Sequence, residues 1–258
     1  MRRILFTALL TAVMISVHCS QAPPPQSAGE IIDRSITAHG GSALTDWNTM
    51  TVLGRLWMND GNMFHAAYRV YAEKPGKLRV ERDMTADRGR LFYEYFLNDG
   101  TVWQRNNLLP RSGNSALLQR WMNQCDGIAY YAENADELIW KEDTELIWKE
   151  PVDIQNQEYR EVKTIQAYVL TAIVGTDTTD LCFDKENFYL VGESWGNTQR
   201  IYTDFKKFGG VTLASKFNEI TQGRSGEVIT PFSIEKVEYN TPIDEYLFTE
   251  DMPRTNRN

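Results

Sequence analysis

The sequence predicts an α+β fold that is mainly β: a single domain on one antiparallel sheet with helices over one face. Three observations predict it. Apolar and polar residues alternate with a period of two through most of the chain from Thr49 to Tyr239, the pattern of half-buried strands. Turn chemistry punctuates these runs at Asn59-Asp60-Gly61-Asn62, Pro75-Gly76, Asn98-Asp99-Gly100 and Gly209-Gly210. Aromatic residues make up 12% of the 258 residues, and such side chains suit a pleated surface. A hydrophobic content of 42% against 24% charged belongs to a globular chain that can bury a core, and the length fits one domain.

The chain opens with a leader. Arg2 and Arg3 precede an apolar run, Ile4 to Val17, that is too short to span a bilayer comfortably, so residues 1–22 read as an export signal. Cys19 follows that run at once, as in a lipoprotein signal whose Cys becomes the acylated first residue. Ser20-Gln21-Ala22 offers a competing small-x-small cleavage site. Residues to about 27, rich in Pro, read as a tether. A domain over 28–253 and a polar tail over 254–258 follow. Removing Arg2 and Arg3 with the leader takes the formal net charge from −8 to −10, which argues against a nucleic-acid partner.

The domain begins with a helix. Ser27 to Glu30 forms a capping box, Ile31, Ile32, Ser35, Ile36 and His39 share one stripe, and Gly40-Gly41 stops it. Strands follow over Val52 to Met58, Phe64 to Ala72, Lys77 to Arg82, Leu91 to Leu97 and Thr101 to Arg105. In the middle the period lengthens. Leu117, Leu118, Trp121, Met122 and Cys125 mark one helix, and Ile128, Tyr131, Ala132, Ala135, Leu138 and Ile139 a second. Strands return at about Glu158 and run to Tyr239.

The hexapeptide ELIWKE occurs twice, at Glu137 and at Glu145. A shift of eight preserves strand parity but turns a helix by about 80°. The first copy completes the stripe begun at Ile128. The pair is therefore expected to be a duplication put to two uses, with Glu137 to Lys141 ending the second helix and Glu145 to Lys149 re-entering the sheet.

Several segments together resemble the LolA-like family, the outer-membrane lipoprotein-sorting carriers and their periplasmic relatives. They are the entry helix Glu30 to Gly41, the hairpin Asn98-Asp99-Gly100-Thr101-Val102-Trp103, the run Cys182 to Val191, the run Asp204 to Ala214 and the segment Tyr239 to Phe248. The resemblance implies a curved antiparallel half-barrel whose concave side, covered by helices, encloses an acyl chain or another apolar ligand. It also implies a place in the bacterial cell envelope: the periplasmic side of a membrane if Cys19 is lipidated, the soluble periplasm otherwise.

The residues themselves carry little sign of catalysis. The three His, at 18, 39 and 65, form no HxH or HxxxH pair, so no metal ligand set is assigned. His39 reads as a helix-terminal residue whose cationic ring would favour the dipole. No GxSxG, P-loop or dinucleotide fingerprint is present, and no catalytic residue or cofactor is nominated. Leu56, Met58, Tyr68, Val70, Tyr93, Tyr95, Trp103 and Trp121 are the candidates for lining an apolar pocket, and ordinary core is the alternative for each. Cys125 and Cys182 can form one disulfide or stand as two small buried residues. The leading expectation is a non-catalytic, lipid-anchored binder of an apolar ligand. A protein-interaction module with a filled core is the alternative, and a hydrolase with an unrecognised site is the third reading.

Overall fold

The computed structural model describes residues 23–249 apart from 60–62, 85–91, 107–108, 113–114, 154–157 and 224–225. The leader, Cys19 and the tail 254–258 lie outside the described residues. Among those residues the chain forms one antiparallel sheet of fourteen strands, in the order β6-β5-β4-β3-β2-β1-β14-β13-β12-β11-β10-β9-β7, with β8 also on β9. The strands are β1 (Thr49–Asn59), β2 (Met63–Glu73), β3 (Lys77–Asp83), β4 (Phe92–Asn98), β5 (Thr101–Asn106), β6 (Leu109–Ser112), β7 (Glu137–Trp140), β8 (Thr144–Asp153), β9 (Glu158–Val174), β10 (Asp177–Asp184), β11 (Leu190–Trp195), β12 (Thr198–Phe208), β13 (Val211–Gly223) and β14 (Gly226–Tyr239). The β1–β14 pairing joins the two meanders, with Val52 opposite Val237.

The turns follow from local chemistry. Asp99 and Gly100 both have positive φ, at 45° and 83°, so the β4–β5 hairpin takes the tight turn that an Asp-Gly pair favours. Asp184 Oδ1 accepts the backbone N–H of Glu186 at 2.7 Å and of Asn187 at 3.2 Å, closing the β10–β11 connection.

Three helices, α1 (Ala28–His39), α2 (Ser115–Cys125) and α3 (Ile128–Asn134), cover the concave face. Ser27 Oγ accepts the Glu30 N–H, and Glu30 Oε2 reaches back to the N–H of Gln26, so the capping box closes one residue earlier than its usual form. Gly40 ends α1 at φ 122°, and a Cβ there would lie 2.6 Å from the Gly210 carbonyl oxygen, so the close approach of α1 to the β12–β13 turn requires glycine. Ile31, Ile32 and Leu44 pack with Ile128, Tyr131, Leu170, Leu181 and Phe183. Leu118 and Met122 of α2 pack on Met50, Val70, Leu78, Val80 and Leu97. Tyr68, Phe217 and Phe232 continue the same inner face, the two Phe rings stacked at 4.3 Å.

The ELIWKE pair corrects the sequence expectation. Helix α3 ends at Asn134, and Glu137–Trp140 is a strand paired with β9 from Ile173 to Leu170. The apolar stripe counted Leu138 and Ile139 as helical because both periodicities place Leu138 inward. The backbone of β9 decides between them, taking the Asp136 N–H on the Ile173 carbonyl at 2.8 Å and offering a ladder that a helix end cannot use. The second copy is also a strand on the same edge of β9, with Thr144 opposite Ala167. The two copies do not pair with each other; they run in tandem, broken at Lys141 to Asp143. The two copies nevertheless bury their leucines on opposite faces: Leu138 packs into the inner cluster, Leu146 packs on Cys182 and Val191 of the outer one, and Ile139 and Ile147 are left 39% and 38% exposed.

The β8 arm with the start of β9 folds back over the outer face of the sheet. Trp148 and Tyr159 pack on Ile201, Ile220 and Ile229, and Leu146 on Cys182 and Val191. Asn218 Nδ2 donates to the Lys149 carbonyl at 2.7 Å, and Tyr159 donates to the Ile229 carbonyl at 3.1 Å. At the other end of the outer face a buried ion-pair chain crosses β2 to β5. Arg79 pairs with Glu81 at 2.7 Å and Glu94 at 2.8 Å, Arg105 with Glu94 at 2.5 Å, and Arg69 with Glu81 at 3.1 Å. The C-terminal 3-10 turn Glu245–Phe248 covers it, with the Leu247 carbonyl accepting from Arg79 at 2.9 Å.

Candidate functional site

A cavity of about 210 Å³ lies between the concave face of the sheet and the helices. Its walls are mostly apolar: Met50 and Val52 of β1, Val70 of β2, Leu78 and Val80 of β3, Ile234 and Val237 of β14, with Trp121 and Cys125 of α2 and Ile128 of α3. The residues of β1 to β3 face inward at alternate positions, and a register shift opposite Leu53 and Gly54 turns both Ile234 and Val237 of β14 inward. Val52, Val70 and Val80 follow one another across three paired strands.

One part of the wall is polar. Gln124, Glu193, Arg200 and Tyr202 all line the cavity. The register sets them together: Glu193 of β11 is opposite Arg200 of β12, and Arg200 is opposite Glu219 of β13. Arg200 donates through Nε and Nη2 to Glu219 Oε2, at 3.0 and 2.7 Å, and through Nη1 to Gln124 Oε1 at 2.6 Å. Glu193, 3% exposed, accepts the Tyr202 hydroxyl at 3.0 Å and the Gln124 amide at 3.2 Å, both on Oε2. Burial raises the Glu193 carboxyl above the ordinary range, and the Arg200 charge offsets only part of that. Burial would do the same to Glu219, but Arg200 and then Arg82 outweigh it and bring that carboxyl below the ordinary range. Each of the two carboxylates thus has a distinct environment: one is ion-paired, the other is held by neutral donors.

His39 also borders the cavity, and its role differs from the expected cationic cap. Its Nε2 accepts the Leu190 N–H at 3.0 Å, so Nδ1 carries the proton and donates to the Thr212 carbonyl at 2.6 Å. Burial lowers its pKa, against a smaller upward pull from the Thr212 carbonyl, and the ring is neutral. It ties α1 to β11 and β13, with both nitrogens spent on backbone.

The sequence-nominated pocket residues divide. Tyr68, Val70 and Trp121 line the cavity. Leu56 is fully buried beside Ala66 and Phe232, and Tyr93 packs against the same cluster. Tyr95 meets Trp121 edge-on at 5.1 Å, behind the lining. Trp103 is stacked on Phe96 at 5.3 Å on the outer face. The side chain of Met58 lies outside the described residues. Cys125 and Cys182 are separate free thiols, not the disulfide weighed from sequence: one borders the inner cluster, the other the outer cluster. Burial pushes both up to about 12, which leaves them protonated and unreactive at neutral pH. Sequence reading missed the Gln124, Glu193, Arg200 and Tyr202 group. The signal available was a charged residue at an inward parity position, as Arg200 and Tyr202 alternate with Ile201 in β12. Among the described residues no group of three or more His, Cys, Asp or Glu could hold a metal ion, and no helix is long and apolar enough to cross a membrane.

No family model and no curated protein matches the chain. Solved structures do. A DUF1329 family protein from Desulfovibrio piger superposes with a TM-score of 0.55 at 13% identity, over 88% of this chain and 98% of that one. A LolA superfamily protein from Nitrosomonas europaea gives 0.53 at 14% identity, over 88% and 99%. A putative outer membrane lipoprotein-sorting protein domain from Vibrio parahaemolyticus gives 0.52 at 11% identity, over 86% and 97%. The curved open sheet and the helices over its concave face are those of the LolA-like fold.

Proposed function

We propose that the protein is an exported, non-catalytic binding protein of the cell envelope that holds one small apolar ligand between the sheet and α2/α3. The observation that carries this reading is the apolar-walled cavity of about 210 Å³ under the helices. Its size sits below the 300–1,000 Å³ typical of small-molecule sites, so the occupant is a single chain, not a multi-chain lipoprotein anchor. Each methylene buried there contributes about 0.8 kcal/mol. Supporting context comes from the putative lipoprotein-sorting domain whose fold the chain shares, and from the basic-then-apolar leader that ends at Cys19. Acylation of Cys19 would hold the domain at a membrane through the Pro-rich tether. Gentle purification, followed by native mass spectrometry and lipid extraction, tests the binding. A co-purifying single-chain species is expected, and a protein that binds no added alkyl compound refutes the reading.

A second reading is an interaction module on the same scaffold. It rests on the apolar side chains left exposed on β7 and the arm: Ile139 of β7 at 39%, and Ile147 at 38%, Val152 at 64% and Val162 at 47% on the arm. Pull-down from envelope extracts with wild type and with Ile147→Lys separates it from the carrier reading.

A further inference from the structure

The polar part of the cavity wall restricts the ligand further than the apolar walls do, and the following rests on the carrier reading above. Three of the four polar groups there are already committed. The Arg200 cation is matched by Glu219 through two hydrogen bonds and holds Gln124 with a third. The Tyr202 hydroxyl and the Gln124 amide are both spent on Glu193 Oε2. The remaining oxygen, Glu193 Oε1, accepts no hydrogen bond from any described residue, although its side chain is more than nine-tenths buried in a wall of the cavity. A carboxyl oxygen that meets no protein donor at the wall of a mostly apolar cavity is left to water or to a ligand donor.

The charges around Glu193 decide what kind of donor fits. An anionic head would approach two carboxylates, and the one cation in the wall is already paired. Arg82 makes no hydrogen bond among the described residues, but it lies over the Trp121 and Phe232 rings and is not part of the wall. An ammonium head would have to shed its water beside the Arg200 guanidinium. A hydroxyl meets neither obstacle: it is uncharged, cheap to desolvate and donates one hydrogen bond.

We propose that the cavity selects a single-chain ligand with an uncharged hydroxyl head, which donates to Glu193 Oε1 while the chain lies along Val52, Val70 and Val80. Glu193 is then the specificity residue, and Tyr202 and Gln124 are positioning residues that aim it.

The test is calorimetric titration of the full chain with octanol, methyl octyl ether, octanoate and octylamine. Octanol is expected to bind about tenfold or more tighter than the ether, which keeps the chain and the oxygen but has no donor. Octanoate and octylamine are expected to bind more weakly than octanol. Glu193→Leu should abolish the preference for octanol over the ether while ether binding persists. Glu193→Gln, which keeps the shape should the leucine variant not fold, should reduce the preference without removing it. Tyr202→Phe should reduce it as well. Equal binding of octanol and ether by the wild-type protein, or tightest binding of octanoate or octylamine, overturns the inference and leaves the carrier reading standing. Failure of all four compounds to bind overturns both.

Discussion

Gly192 offers the sharpest test of how the arm packs. It faces outward from β11 between Cys182 and Ile201, and Leu146 of the arm lies directly over it. A Cβ at this position would sit 2.9 Å from Leu146 Cδ1 and 3.3 Å from both the Arg200 carbonyl oxygen and Cys182 Cβ. Leu146 is 5% exposed, so its side chain has little room to withdraw. Gly192→Ala should therefore cost about 1–3 kcal/mol as overpacking. In a chain of this size that lowers Tm by roughly 2–4 °C per kcal/mol. Leu146→Ala alone should cost about 2–5 kcal/mol through lost burial and the cavity left behind. The two changes share one contact, because removing Leu146 Cδ1 makes room for the new methyl. The double variant should therefore be more stable than the sum of the singles by about 0.5–2 kcal/mol. Urea denaturation of the four proteins measures this coupling, and octanol titration provides a control, since the site lies on the face opposite the cavity. Additivity within about 0.5 kcal/mol would mean that Leu146 does not rest on Gly192, and the folded-back arm would be wrong.

Three further outcomes are expected. Glu94→Gln weakens both the Arg79 and the Arg105 contacts in the buried outer chain, while Arg79 keeps Glu81. A loss of about 2–4 kcal/mol is expected by chemical denaturation, less than for a wholly orphaned charge. His39 has a folded pKa below its ordinary 6.5, so the unfolded chain binds the proton more readily. Its contribution is fully present above pH 6.5 and declines as the pH falls from there toward the depressed folded value. His39→Gln should flatten the stability curve in that acidic window, and an unchanged slope would count against the neutral bridge. Val70→Phe places a ring in the cavity wall and should weaken octanol binding at least tenfold in the same titration; unaltered affinity would locate the ligand elsewhere.

Much of the architecture was legible because it is written over short distances. The capping of α1, the Asp99-Gly100 turn and the alternation of β1 to β5 each depend on residues a few positions apart, and all appear in the structure. Helix α2 was legible for the same reason. Helix α3 was legible over Ile128–Asn134, but its end was not, because Leu138 satisfies a helical stripe and a strand face equally, and the choice is made by the β9 backbone more than thirty residues later. The aromatic candidates were only partly sorted: Tyr68 and Tyr93 sit opposite Arg82 on adjacent strands, yet only Tyr68 reaches the cavity.

The sequence by itself thus determined the mainly β character, the hairpins and the three helices apart from the end of α3, since propensity, capping and turn chemistry act locally. Tertiary structure alone decided which strands share an edge with β9, that the β8 arm returns across the outer face, and that Glu193, Arg200 and Glu219 stand side by side. Cross-strand register and sheet curvature are set by the simultaneous burial of both faces, a constraint shared by the whole sheet and recorded in no single segment.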